Sequence, residues 1–196
     1  NTIIIFSSDQ GIAIGSHGLM GKQNLYEHSM RVPLIFAGPG IPKGKTADAF
    51  CYHFDIYPTV CDLVGAPVPA SLEGKSLAPI LRGQTSSVRD TIFLAYKDIE
   101  RAVRRGPWKL IRYPIVNRTQ LFNLDEDPYE TRDLSGDPSH ASRIRELMEL
   151  MAQQQKVYGD TDPLVVPKPE SADVDLEFFK QGEQQRPYGE KRKGGK

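Results

Sequence analysis

Three residues near the start of the chain are equipped to act on an anion. Asp9 and Gln10 are adjacent and offer two hard oxygen donors, the kind that Ca²⁺ or Mg²⁺ prefers. Lys22 follows them after a glycine-rich loop, Gly15-Ser16-His17-Gly18 and then Gly21. An ammonium brought over such a cation can hold an anionic group against it. Residues 2–6 ahead of the pair are β-branched or aromatic without alternation, which predicts a strand buried on both faces, as in a parallel sheet. Ligands of such sheets sit beyond the carboxyl ends of the strands. Each residue alone has an ordinary reading, since Asp commonly caps or turns a chain and a lysine is a surface residue by default. Together they predict a site for a metal and an anion.

The run Ser7-Ser8-Asp9-Gln10-Gly11 is followed by His17-Gly18-Leu19-Met20-Gly21-Lys22-Gln23-Asn24-Leu25-Tyr26-Glu27 and by Arg31-Val32-Pro33-Leu34-Ile35. Farther on stand Asp55-Ile56-Tyr57-Pro58-Thr59-Val60, Leu72-Glu73-Gly74-Lys75-Ser76-Leu77, Trp108-Lys109-Leu110-Ile111 and Leu121-Phe122-Asn123-Leu124-Asp125. In this order and spacing the motifs resemble the second half of a type I, formylglycine-dependent sulfatase of the alkaline-phosphatase-like superfamily. The resemblance extends to about Met151. It implies an α/β fold: the C-terminal part of an alkaline-phosphatase-like α/β sandwich, then a small antiparallel sheet with a packed C-terminal helix. It also implies that Asp9 and Gln10 are metal ligands, Ca²⁺ being favoured and Mg²⁺ allowed, and that Lys22 is the sulfate-contacting lysine. Relatives more often carry Asn or His where Gln10 stands. His17 keeps three readings: general acid for the leaving alcohol, substrate hydrogen-bond donor, or loop residue satisfied by backbone groups.

Such sulfatases make their formylglycine nucleophile from a Cys/Ser-x-Pro-x-Arg motif, and neither Cys51, Cys61 nor any serine here begins one. The chain is therefore expected to be the C-terminal portion of a longer enzyme, inactive alone, with formylglycine and a first Asp pair upstream. The expected partners are that upstream part and a sulfated small molecule or polysaccharide. The expected compartment, by resemblance, is periplasmic or secreted. A phosphodiester or phosphonate hydrolase of the same superfamily is the neighbouring alternative, because tetrahedral sulfate and phosphate esters differ little at this half-site. A noncatalytic carbohydrate-binding or structural remnant is the alternative outside enzymes.

The elements that must position these groups fall into three zones. Residues 1–85 alternate strand and helix signals: a second apolar strand over 32–37, then a helix capped by Asp55 with Ile56, Val60, Leu63 and Val64 on one face and Gly65 at its end. Residues 86–160 predict short strands over 91–94, 101–104, 108–113 and 120–123 with a turn at Arg105-Gly106-Pro107. Asp137-Pro138 then starts a helix whose Ile144, Leu147, Met148 and Met151 form one stripe. Residues 161–196 read as an extended, mobile tail, with Leu176, Phe178 and Phe179 its apolar cluster and a net positive end.

The 25 basic and 25 acidic residues cancel, which argues against nucleic acid or an anionic membrane surface as partner. No apolar run approaches the roughly 20 residues of a membrane span. The two cysteines, Cys51 and Cys61, read as buried free thiols that could pair only if the fold brings them close. Glu27 is expected to pair with Arg31 in packing, the resemblance places Arg104 and Arg105 near the cleft as candidates for a carbohydrate anion, and Asn117-Arg118-Thr119 matches a glycosylation acceptor.

Overall fold

Four strands, predicted over 91–94, 101–104, 108–113 and 120–123, join through tight turns into one antiparallel sheet. They are β5 (Thr91–Tyr96), β6 (Glu100–Arg105), β7 (Trp108–Tyr113) and β8 (Arg118–Asn123), hydrogen-bonded in chain order. The computed structural model describes residues 1–172. Gly106, at φ 54°, makes the β6–β7 turn, a conformation that glycine adopts without steric cost.

Strand alternation gives this sheet two working faces. Phe93, Val103, Leu110 and Leu121 face one another across successive strands and pack under Leu147, Leu150 and Met151 of α4 (Ala141–Tyr158). Each such side chain contributes about 1.5–3 kcal/mol by leaving water. The expected stripe on α4 holds at Leu147 and Met151, with Ile144 and Met148 half-buried at its edge. Asp137 accepts a hydrogen bond from Ser139 N (2.9 Å) ahead of this helix, and Gly159 closes it at φ 67°. On the opposite face Ala102, Ile111 and Phe122 meet Leu25 and Tyr26 from the N-terminal zone. That second contact joins the candidate site to the sheet.

The chain after α4 is tied down where a tail was expected to begin. Arg101 binds Asp160 (2.6 Å) and Asp162 (2.5 Å), and holds the Asp160 carboxyl down at about 2. Arg112 Nε donates to Leu164 O (2.7 Å), and Glu170 N donates to Ile115 O (2.9 Å). Asn117 donates Nδ2 to Val166 O (2.7 Å) and accepts from Arg112 Nη2 (2.7 Å) and Val166 N (3.1 Å). The side-chain nitrogen of the sequon asparagine thus bonds to the backbone, and Asn117 itself stands in a turn. Leu176, Phe178 and Phe179 lie outside the described residues.

The N-terminal zone departs from the sequence reading in two places. β1 (Ile4–Ser7) pairs with β4 (Leu34–Ala37) antiparallel, not parallel. Its faces are also unequal, for Phe6 stands opposite Ile35 and both are exposed, at 59% and 56%. An unbroken apolar run marks a strand but carries no information about its direction. The second departure concerns α2 (Ile56–Val64), which ends at Gly65 (φ 72°) as expected but buries Pro58, Thr59 and Cys61. Val64 is exposed.

Polar bonds set that orientation. The Asp55 carboxylate makes no cap for α2; it accepts from Tyr52 N (2.6 Å) and Lys75 N (2.8 Å) and is gripped by both Nη atoms of Arg89. Thr59 Oγ1 donates to Asp55 O (2.6 Å) and accepts from Leu77 N (2.8 Å), fixing the approach to α3 (Ala78–Leu81). Gly83 follows α3 at φ 70°. Cys51 is half-buried and Cys61 buried, both free thiols.

Candidate active site

Asp9 and Gln10 lie just past the end of β1. Gly11 then passes so close to α1 (Glu27–Met30) that a Cβ would stand 2.0 Å from His28 O. Its N–H donates to Ser29 O (2.9 Å). Only glycine permits this approach, and it fixes the Asp9-Gln10 pair against α1. The short strands β2 (Ala13–Ile14) and β3 (Met20–Gly21) pair next and hold the loop bearing His17, with Lys22 immediately beyond.

Gln10 and Lys22 are brought together directly, through Gln10 Nε2 and Lys22 O at 2.8 Å. A carbonyl only accepts, so the amide nitrogen faces Lys22 and Oε1 is left on the other side. The Asp9 carboxylate, Gln10 Oε1 and Lys22 Nζ have no hydrogen-bond partner among the described residues. Two uncommitted oxygen-donor groups, with three oxygens between them, suit an alkaline-earth ion in type, whereas Ca²⁺ takes about six to eight oxygens. Among the described residues no group of three or more His, Cys, Asp or Glu side chains is placed to hold a metal. The pair thus fits part of a ligand set.

His17 occupies the left-handed region, at φ 55°, at a cost on the order of 1–2 kcal/mol. Two contacts hold it there. Its ring stacks on Tyr26, with centroids 4.0 Å apart and planes within 4°, and its Nε2 lies 3.1 Å from Tyr129 O. The carbonyl requires a donor, so Nε2 carries the hydrogen and Nδ1 has no partner among the described residues. His28 stacks behind at 5.5 Å; burial first, then the charges of His17 and Lys109, lower its pKa.

Beneath this loop lies a buried charge cluster that the sequence reading missed. Glu27 pairs not with Arg31 but with Lys109 (2.9 Å) and Arg104 (2.9 Å). Arg104 and Lys109 stand directly opposite each other on β6 and β7, where like charges repel, and one carboxylate bridges them. Lys109 is 1% exposed and lies 2.8 Å from Glu130, whose other oxygen accepts from Glu27 N (2.6 Å). Burial raises the Glu130 pKa and Lys109 opposes the rise. Glu100, raised likewise by burial, accepts from Leu25 N (3.1 Å). The available signal was period: Arg104 and Lys109 share the strand face of Ala102, Ile111 and Phe122, so they point inward and need partners.

Of the two arginines proposed for a carbohydrate anion, Arg104 is spent on Glu27 and on the face of Phe50 (5.0 Å). Arg105 remains 42% exposed, 4.0 Å from Asp90, at an open groove of about 380 Å³ also lined by Phe50, Ser87 and Asp90.

Residues 15–157 match the family described as N-sulphoglucosamine sulphohydrolase, C-terminal. The N-acetylglucosamine-6-O-sulfatase of Bacteroides thetaiotaomicron is 34% identical over 176 residues, covering 83% of this chain and 32% of that protein. A solved structure of a protein in complex with its substrate D-glucosamine-2-N,6-O-disulfate superposes with TM-score 0.75 at 31% identity, over 83% of this chain and 35% of the other. The phosphonate monoester hydrolase of Agrobacterium radiobacter superposes with TM-score 0.67 at 26% identity, over 80% of this chain and 35% of that one. The chain thus spans about a third of the length of these relatives and carries the C-terminal part of their alkaline-phosphatase-like fold. It belongs to the N-sulphoglucosamine sulphohydrolase C-terminal family of the sulfatases.

Proposed function

We propose that this chain supplies the C-terminal share of the active site of a sulfatase that hydrolyses sulfate esters of carbohydrates, a sulfated hexosamine being the favoured class. The observation that supports the reading best is the bond between Gln10 Nε2 and Lys22 O, which ties the backbone of Lys22 to the residue pair that follows β1. The substrate named for the superposed structure and the name of the 6-O-sulfatase relative support the sugar class.

Asp9 and Gln10 Oε1 would hold Ca²⁺, with Mg²⁺ also suited to an oxygen-only pair. An ion held there would supply Lewis-acid polarisation of the sulfate oxygens. Lys22 Nζ binds a sulfonyl oxygen and stabilises the charge that gathers there as the ester bond breaks. His17 presents Nδ1, which donates to the leaving oxygen when the ring is protonated and accepts from a sugar hydroxyl when it is neutral. The nucleophile belongs to the upstream part of the same enzyme, so the isolated chain turns over no sulfate ester. The division at 85/86 and 160/161 and a periplasmic or secreted location go with this proposal. No helix among the described residues is long and apolar enough to cross a membrane.

A phosphonate monoester hydrolase is the second reading, favoured by the superposition on such an enzyme. Both readings place the same demands on the metal pair. In the full-length enzyme, Asp9→Ala is expected to lower metal affinity by more than the roughly 10–100-fold that losing an outer-shell partner costs, and activity with it. Gln10→Ala is expected to lose less, since water can replace a neutral ligand. Metal analysis beside kinetics checks this; full metal occupancy in Asp9→Ala would show the site misplaced.

A further inference from the structure

His17 is held from two sides, by the Tyr26 ring against its face and by the Tyr129 carbonyl at Nε2. Each tyrosine immediately precedes a glutamate, Glu27 and Glu130. These carboxylates close on a single ammonium, Lys109 Nζ, at 2.9 and 2.8 Å. Glu27 N also donates to Glu130 (2.6 Å), so the two segments that grip His17 are joined twice, and β7 anchors the joint through Lys109.

We propose that Lys109 is a positioning residue for His17. By clamping Glu27 to Glu130 it sets the spacing between the Tyr26 ring and the Tyr129 carbonyl. His17 is thereby held as the Nε2–H tautomer with Nδ1 presented to substrate. The proposal deepens the reading of His17 given above and rests on it for its catalytic consequence.

The energetics suit this role better than a stabilising one. A buried lysine with two carboxylates is often no more stable than apolar side chains of the same volume, so stability alone gives little reason for a lysine at a position 1% exposed. The clamp's geometry has a consequence of its own. Glu130 adopts φ 56°, which turns the preceding carbonyl, and its carboxylate is held on one oxygen by Lys109 and on the other by Glu27 N. Freed from Lys109, the 129–130 segment is expected to relax, and Tyr129 O leaves Nε2. His17 then exchanges between tautomers, and its reactive nitrogen is no longer fixed.

Lys109→Met leaves Glu27 and Glu130 facing each other with Arg104 alone to offset them, which endangers folding. The double variant Lys109→Met/Glu130→Gln removes one charge of each sign and keeps an acceptor for Glu27 N. The full-length enzyme labelled with ¹⁵N-histidine reports the tautomer by long-range ¹H–¹⁵N correlation, with the His17 signals assigned by their loss in His17→Gln. The wild type is expected to show a pyrrole-type Nε2 and a pyridine-type Nδ1. The double variant is expected to show averaging of the two forms, and kcat lower by about 100-fold, the cost of a misplacement of about 1 Å, with KM nearly unchanged. Should the double variant not fold, Glu130→Gln alone is expected to move both readouts the same way by less. A wild-type Nδ1–H tautomer, or an unaltered tautomer in a folded variant, overturns the proposal whatever kcat does. Averaging in the variant of an enzyme that releases no sulfate supports the clamp and overturns the functional reading instead.

Discussion

Lys22→Ala in the full-length enzyme is expected to lower kcat by about 10²–10³-fold, or about 2.7–4 kcal/mol of transition-state stabilisation, with metal content unchanged. The separation of the two readouts follows from local geometry. Gln10 bonds to the backbone carbonyl of Lys22 and not to its side chain, so alanine keeps the acceptor that orients the Gln10 amide. What is lost is the ammonium, which in the proposed role pairs with the anion. Lys22→Arg restores the charge but changes its reach and its donor geometry, and should recover only part of the rate. Wild-type kcat in Lys22→Ala, measured with metal analysis on the same sample, would remove Lys22 from the site.

Asp55→Ala is expected to destabilise the protein by about 3–5 kcal/mol, the cost of breaking a buried ion pair from one side. Asp55 is fully buried and the Arg89 side chain is 7% exposed, so alanine strands a guanidinium that few waters can reach. It also removes the acceptor for Tyr52 N and Lys75 N, and those bonds hold the chain that leads into α2 and α3. Arg89→Ala should cost a similar amount, and the double variant less than the sum of the two singles, because the pair acts as one unit. Urea titration with the slope held constant measures all three. A loss below about 1 kcal/mol in Asp55→Ala would place the pair among exposed ion pairs.

The features legible from the sequence were those that depend on neighbours along the chain. The antiparallel sheet follows from short β-branched segments and the Gly106 turn, and the α4 stripe from its helical spacing; both are present. Asp9, Gln10 and Lys22 were singled out by residue type and order, and the structure brings Gln10 to the backbone of Lys22. Features set by contacts distant in sequence were not legible. The direction of β1 relative to β4 is decided by how the 26 residues between Ser7 and Leu34 route the chain. The buried face of α2 is decided by Arg89, which lies 34 residues from Asp55. Glu27 had a cation four residues away in Arg31, yet it pairs with residues 77 and 82 positions distant. A charge on an inward strand position predicts a partner but does not say which one.

Release of inorganic sulfate from a 6-O-sulfated glucosamine by the full-length enzyme, beside cleavage of a phosphonate monoester under the same conditions, tests the central claim most directly. The account predicts sulfate release with the higher kcat/KM on the sulfate ester, abolished in Lys22→Ala. Efficient cleavage of the phosphonate with no release of sulfate would contradict it.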